Sequence, residues 1–352
     1  MKRQAWLDYI KCISMFIVIV YHTPPRFDPA REVALFYVGA PVFFFAAGYV
    51  FNIDKYKGFF SFLRHRARQI LVPYTTFFII FYALWLAVGR RMAGPEEMAI
   101  SIFTPLKQFV VGMPDVILGT FWFIVALFTI QIIYYPLRKY LKGWWPFVVA
   151  LLLNLSLLIL PYLPWFRYWN LDKAFLYLPI YAFGNCCRAA LSDDKSKGLT
   201  KKTIADFFTF TTPVRSILWV ILAACGLSFL IIAPVTIRKD LSYILSPAAF
   251  ILLLPCYCAC SKWLERCFGT NRIVQTVAIT GITYLALQNY LIGIIKMIVA
   301  KFAGPEIFDG NIVLKLVIAL VVFAIIYPLA VIIERYLPFL LGKPYKKLEA
   351  KR

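Results

Sequence analysis

The residues with the most chemistry to offer lie in LDYIKCISMFIVIVYH, residues 7–22. Lys11 and His22 are eleven residues apart. At about 100° per residue that separation returns to within about 20° of one helical face and covers roughly 16 Å of rise. Asp8 and Lys11 stand at i, i+3, a spacing at which a carboxylate and an ammonium on one helix pair. One face is therefore expected to carry an acid–base pair at one end and an imidazole at the other. Imidazole is the side chain best matched to proton transfer near neutral pH, so His22 is the candidate general base toward a hydroxyl. The chain has two histidines, and the other, His65, falls in a basic loop. A plainer reading stays open, in which Asp8 and Lys11 snorkel to headgroups and His22 is a hydrogen-bonded helix-end residue.

A second basic constellation is FLRHRARQILVPY, residues 62–74, with Arg64, Arg66 and Arg68 around His65. Guanidinium groups bind phosphate bidentately, so the three arginines are candidates for holding a phosphorylated cofactor. Arginines just before an apolar run also serve as topology determinants or anionic-lipid anchors. Of the eight cysteines, Cys256, Cys258 and Cys260 are two apart. Helical neighbours at that spacing diverge by about 200° and do not converge on one metal. Neither a metal nor a disulfide is expected.

The elements that must position these groups follow from composition. Of the 352 residues, 62% are apolar and 16% charged, with Lys+Arg 38 against Asp+Glu 17 and a net charge of +21. A soluble domain is nearer 45–50% apolar and about 25% charged, which excludes that class. A positive excess could point to nucleic acid, but the basic residues sit between apolar runs of about 20 residues, the length that spans a bilayer, and no nucleic-acid partner is expected. Ten apolar segments are predicted, at Trp6–Thr23, Val33–Phe51, Ile70–Val88, Val116–Leu137, Trp144–Leu160, Ala174–Ala190, Val214–Ala233, Leu241–Cys260, Ile273–Val299 and Ile312–Ile333. The expected fold is an all-α polytopic membrane protein, a single integral domain over 1–352 with a short basic cytoplasmic tail over 334–352. Basic residues are retained on the cytoplasmic side. With the N-terminus inside, 24 lysines and arginines fall in the cytoplasmic stretches and 10 in the external loops, so both termini are expected in the cytoplasm. Asp8 and Lys11, and the lack of a small-residue cleavage site after Thr23, read as a retained anchor rather than a signal peptide.

The order of WLDYIK and the downstream His (6–22), GAPVFFFAAGYVF (39–51), FLRHRARQILVPY (62–74) and FWFIVALF (121–128) resembles the acyltransferase-3 family of integral membrane acyltransferases. AFLYLPIYAFGNCC (174–187) and FGTNRIVQTVAITGITYLALQN (268–289) resemble that family's sixth-span and late-span regions, so the resemblance runs over roughly residues 5–340. It implies a ten-span bundle in the cytoplasmic membrane. The implied activity is transfer of an acyl group, commonly acetyl, from cytoplasmic acyl-CoA as donor substrate to a carbohydrate or cell-envelope glycan hydroxyl. The family's basic residue eleven before the first-span His maps to Lys11, the His to His22, and its arginines to the Arg64, Arg66 and Arg68 cluster. Two departures stand out: Lys11 replaces the commoner Arg, and Gln288 stands where many members carry a His.

On this resemblance Lys11 attracts or orients the donor, Asp8 holds Lys11, and Tyr284, Gln288 or Asn289 supply donors to a developing oxyanion. Trp122 is a candidate for lining the acyl or sugar site, or else an interfacial tryptophan. Asn154, Asn185 and Lys296 are candidates for hydrogen bonds between helices or for pore lining. A transporter or flippase for a glycan or small solute is the alternative, because a solute pathway also needs polar groups inside a bundle. A scaffold that has lost its chemistry is a third class.

Overall fold

The structure, a computed structural model, describes residues 3–26, 28–92, 95–160, 163–192, 203–236 and 239–343. Its described residues form helices and turns without strands. The helices used below are α1 (Ala5–His22), α2 (Pro29–Gly39), α3 (Pro41–Val50), α4 (Phe59–Leu84), α5 (Trp122–Tyr140) and α6 (Trp145–Leu155). They continue as α7 (Leu171–Ser192), α8 (Pro213–Thr236), α9 (Lys239–Phe268), α10 (Arg272–Ile279), α11 (Gly281–Ala303) and α12 (Ile312–Tyr336). Only helices satisfy every backbone group within a single crossing segment, so long apolar runs in lipid take this form.

Seven helical stretches among the described residues are long and apolar enough to cross a membrane: Ala5–His22, Phe59–Gly89, Asp115–Tyr140, Pro213–Ala233, Ile244–Phe268, Gly281–Ala303 and Ile312–Tyr336. Three of the ten expected crossings are not among them. The run over 33–51 is divided between α2 and α3, where Pro41 follows Gly39 and Ala40, and the run over 144–160 ends its α-helix at Leu155 in a 3-10 turn. The third, α7, is 22 residues long but carries Asp172, Lys173, Asn185 and Arg188. The expected segment 273–299 is also two helices: α10 ends at Ile279, Thr280 lies between, and the crossing begins at Gly281. Large apolar side chains such as Val220, Ile298 and Leu320 face outward, which lipid accommodates and water does not.

The first helix lies at the centre, packed by α2, α3, α9, α10, α11 and α12. The tightest crossing is between α3 and α7. A Cβ on Gly48 would stand 1.9 Å from the Tyr181 carbonyl oxygen, and one on Gly184 2.4 Å from that of Phe45, so these two glycines let the backbones touch. The crossing also completes the end of α3. Asn185 Nδ2 donates to the carbonyls of Gly48 (3.1 Å) and Phe51 (2.9 Å), while its Oδ1 accepts from the Tyr134 hydroxyl (3.0 Å). Arg188 adds bonds to the Tyr49 and Phe51 carbonyls. Asn185 and Asn154, which bonds the Leu176 carbonyl, join helices, whereas Lys296 is exposed.

The basic stretch from 334 begins inside α12 and continues into a 3-10 turn, Pro338–Leu341, with Leu341 buried. Gly342, at φ 64°, packs against the Arg68 carbonyl, and Arg68 Nε donates to the Gly342 carbonyl at 3.0 Å. Residues 344–352 lie outside the described residues.

Candidate functional site

Helical geometry puts Lys11, Met15, Val18 and His22 along one face of α1. That face meets α11, where a Cβ on Gly281 would stand 3.3 Å from Met15 Cε. His22 is the last residue of α1 and half-buried, with its ring edge-on to Tyr21 (4.9 Å between centroids, 79°). Its imidazole makes no side-chain hydrogen bond among the described residues.

His22 opens into a narrow cavity of about 30 Å³. Tyr21, Phe36, Trp122, Phe123 and Leu285 are among the residues that line it. Trp122 is therefore at the candidate site. Its ring is crowded, with Phe36 at 5.9 Å, Tyr177 at 6.0 Å and Lys173 Nζ 4.7 Å above it. It serves as wall more than as an open stacking platform. Thr120, also in the wall, spends its hydroxyl on the Leu285 carbonyl (2.8 Å).

The expected Asp8–Lys11 pair does not form. Arg3 grips Asp8 with two bonds, Nε to Oδ2 at 2.7 Å and Nη2 to Oδ1 at 3.0 Å, and adds a third to the Gln275 carbonyl. A guanidinium fork matched to both carboxylate oxygens outcompetes a single ammonium. Lys11 is half-buried and has no hydrogen bond or ion pair among the described residues, which leaves its ammonium for an anion along the α1 face.

The three arginines part company. Arg64 is exposed, whereas Arg66 lies over the Tyr56 and Phe62 rings and bonds Gln69. Arg68 lines a second, more open cleft of about 350 Å³ together with His65, Thr280, Ile282 and Lys343. The break between α10 and α11 is thus part of this cleft. Ile282 lines the cleft and Leu285 the His22 cavity, so one turn of α11, about 4.5 Å of rise, links the two.

The late-span residues divide as well. Gln288 is 0% exposed with neither side-chain polar atom hydrogen-bonded, and the buried Ser14 hydroxyl on α1 is equally unpartnered. Gln288 follows Gly281 and Leu285 on one face of α11, the face toward α1. Tyr284 spends its hydroxyl on the Phe323 carbonyl (3.4 Å), and Asn289 is exposed, so neither is placed to serve as an oxyanion donor at the cavity. Spacing did not single out Phe36, or the cluster of Arg26, Glu32 and Lys315 beside the end of α1. A lysine near a span end has the same sequence signature as a headgroup anchor, so only contacts could distinguish it.

Residues 4–335 match a family model described as an acyltransferase domain, nearly the whole chain. No curated protein and no solved structure matches it. The chain belongs to this acyltransferase family, and its helices make it a multi-pass membrane protein.

Proposed function

We propose that this membrane acyltransferase moves an acyl group, acetyl by family resemblance, from cytoplasmic acyl-CoA to a hydroxyl of a carbohydrate or cell-envelope glycan, with His22 as general base. One observation carries the reading. An imidazole without a side-chain hydrogen bond among the described residues opens into an apolar cavity one turn of α11 from a cleft bearing Arg68, His65 and Lys343. CoA phosphates belong with the cationic cleft, the thin pantetheine arm with the Lys11–Ser14 face between α1 and α11, and the acyl carbonyl with the cavity. We read the basic-residue asymmetry as ten crossings, counting α2–α3, α6 and α7, with both termini in the cytoplasm, and on that reading the cleft opens to the donor's side.

In this reaction the acceptor oxygen attacks the thioester carbonyl while His22 takes the hydroxyl proton. The tetrahedral intermediate collapses with cleavage of the C–S bond. The departing CoA thiolate takes the proton from the imidazolium, leaving an O-acyl ester and free CoA. The unpartnered Gln288 amide, on the same face of α11 as Leu285 of the cavity wall, is our candidate donor toward the developing oxyanion. No metal is required.

The test is CoA release by purified protein in nanodiscs, with acetyl-CoA and a panel of sugar acceptors. CoA release should require an acceptor and fall about 10²–10⁴-fold in His22→Ala, the usual worth of a general base. Acceptor-dependent release that survives in a folded His22→Ala variant removes the base from the mechanism. Movement of a glycan or solute without thioester cleavage would bring forward the transporter reading.

A further inference from the structure

Lys315 sits on the first turn of α12 with 0% of its surface exposed. A buried lysine in a crossing helix is costly and needs acceptors that repay its lost hydration. Among the described residues, Nζ donates to the carbonyls of Thr23 and Pro25, both at 2.8 Å, and approaches Glu32 Oε1 at 3.4 Å. The other Glu32 oxygen, Oε2, accepts from Arg26 Nη1 at 3.2 Å, and that same guanidinium nitrogen donates to the Tyr21 carbonyl at 3.0 Å. Two cations tied to one carboxylate thereby hold the carbonyls of residues 21, 23 and 25, on both sides of His22.

The last carbonyls of a helix have no partner within it, and helix ends fray. His22 is at such an end, and the prolines at 24 and 25 bring no N–H donors to the turn that follows. A ring there would be held only by its own packing unless a donor from elsewhere fixed the backbone. We propose that Lys315, with Glu32 and Arg26, is a positioning residue that fixes the end of α1 so that the His22 imidazole keeps one orientation in its cavity. This rests on His22 being the base of the proposed transfer. Lys315 does not line the cavity and acts through backbone.

The test compares wild type with Lys315→Met, Lys315→Arg, Glu32→Gln and His22→Ala in nanodiscs. It reads kcat, the acyl-CoA KM and thermal melting, together with the proton–carbon spectrum of protein labelled at the histidine rings. The chain has two histidines, so His65→Gln assigns both signals. Lys315→Met should lose about 10²-fold in kcat with the acyl-CoA KM within about threefold, the signature of misplaced rather than missing chemistry. The His22 signal should shift or broaden while that of His65 stays. Lys315→Arg should recover most of kcat, because a guanidinium offers donors to the same carbonyls. Glu32→Gln keeps every donor but removes the carboxylate charge that holds both cations against the carbonyls, so it should fold even where Lys315→Met does not and should move the His22 signal in the same sense.

An unmoved His22 signal with unchanged kcat in Lys315→Met overturns the proposal. So does an equal loss in kcat and donor affinity, or an unmoved signal in Glu32→Gln. Should His22→Ala turn over like wild type, the base reading fails instead, and the ring spectrum, which reports position and not chemistry, still decides whether Lys315 holds the helix end.

Discussion

At the scale of single residues, the site divides labour among groups that the sequence ranks alike. Arg64, Arg66 and Arg68 have the same spacing and charge, yet only Arg68 faces the cleft. Its Nε is committed to the Gly342 carbonyl, which aims the guanidinium and leaves the terminal nitrogens for phosphate. A charge-assisted bond of this kind contributes about 1.5–3 kcal/mol, so Arg68→Ala should raise the acyl-CoA KM by roughly 10–100-fold with kcat little changed. Arg64→Ala should leave both near wild type, and equal effects of the two substitutions would remove the cleft from donor binding. Lys11 was legible as a polar face residue, but the capture of Asp8 by Arg3 was not. Two groups at i, i+3 are close enough to pair without being the best partners available, and Arg3 offers Asp8 two bonds where Lys11 offers one. Lys11→Met should therefore weaken donor use with no loss of melting temperature. A large drop in stability would show Lys11 to be structural.

At the scale of elements, hydropathy foresees where helices run but not where they break. The gap at Thr280 turns one expected crossing into α10 and α11 and provides a wall of the cleft, although ITGITY reads as continuous apolar helix. The division between α2 and α3 was equally hidden in a long apolar run, since Pro41 is tolerated at a helix start as readily as within a lipid-embedded helix. The α3–α7 crossing depends on Gly48 and Gly184 for close approach and on donors from Asn185 and Arg188. Asn185→Ala would take one donor from each of the Gly48 and Phe51 carbonyls and the acceptor from the Tyr134 hydroxyl, at a cost on the order of 2 kcal/mol, read as a lower melting midpoint in detergent. Gly184→Ala should be worse, because the intruding methyl meets the Phe45 carbonyl, backbone that cannot swing aside. A melting curve unchanged in both variants would mean that the helices do not cross this closely.

For the molecule as a whole, the sequence made the membrane class plain because 62% apolar content in runs of bilayer length permits little else. The architecture then puts the one span with both a lysine and a histidine on its length at the centre, where lipid cannot reach its polar face. Membrane-impermeant labelling of single cysteines placed in the loops after Val50 and Tyr140 should report the cytoplasmic side for both, and labelling from outside would overturn the proposed orientation. What spacing could not supply was the meeting of distant segments: Lys315 lies nearly three hundred residues from the carbonyls it holds. The central claim is that donor capture and proton transfer occupy adjoining sites, a cationic cleft and the His22 cavity. It is tested most directly by measuring acetyl-CoA binding and acceptor-dependent CoA release on the same preparations of wild type and His22→Gln. The account predicts equal binding and a release rate lowered about 10²-fold or more in the variant. Binding lost together with release, or release retained at the wild-type rate, would contradict it.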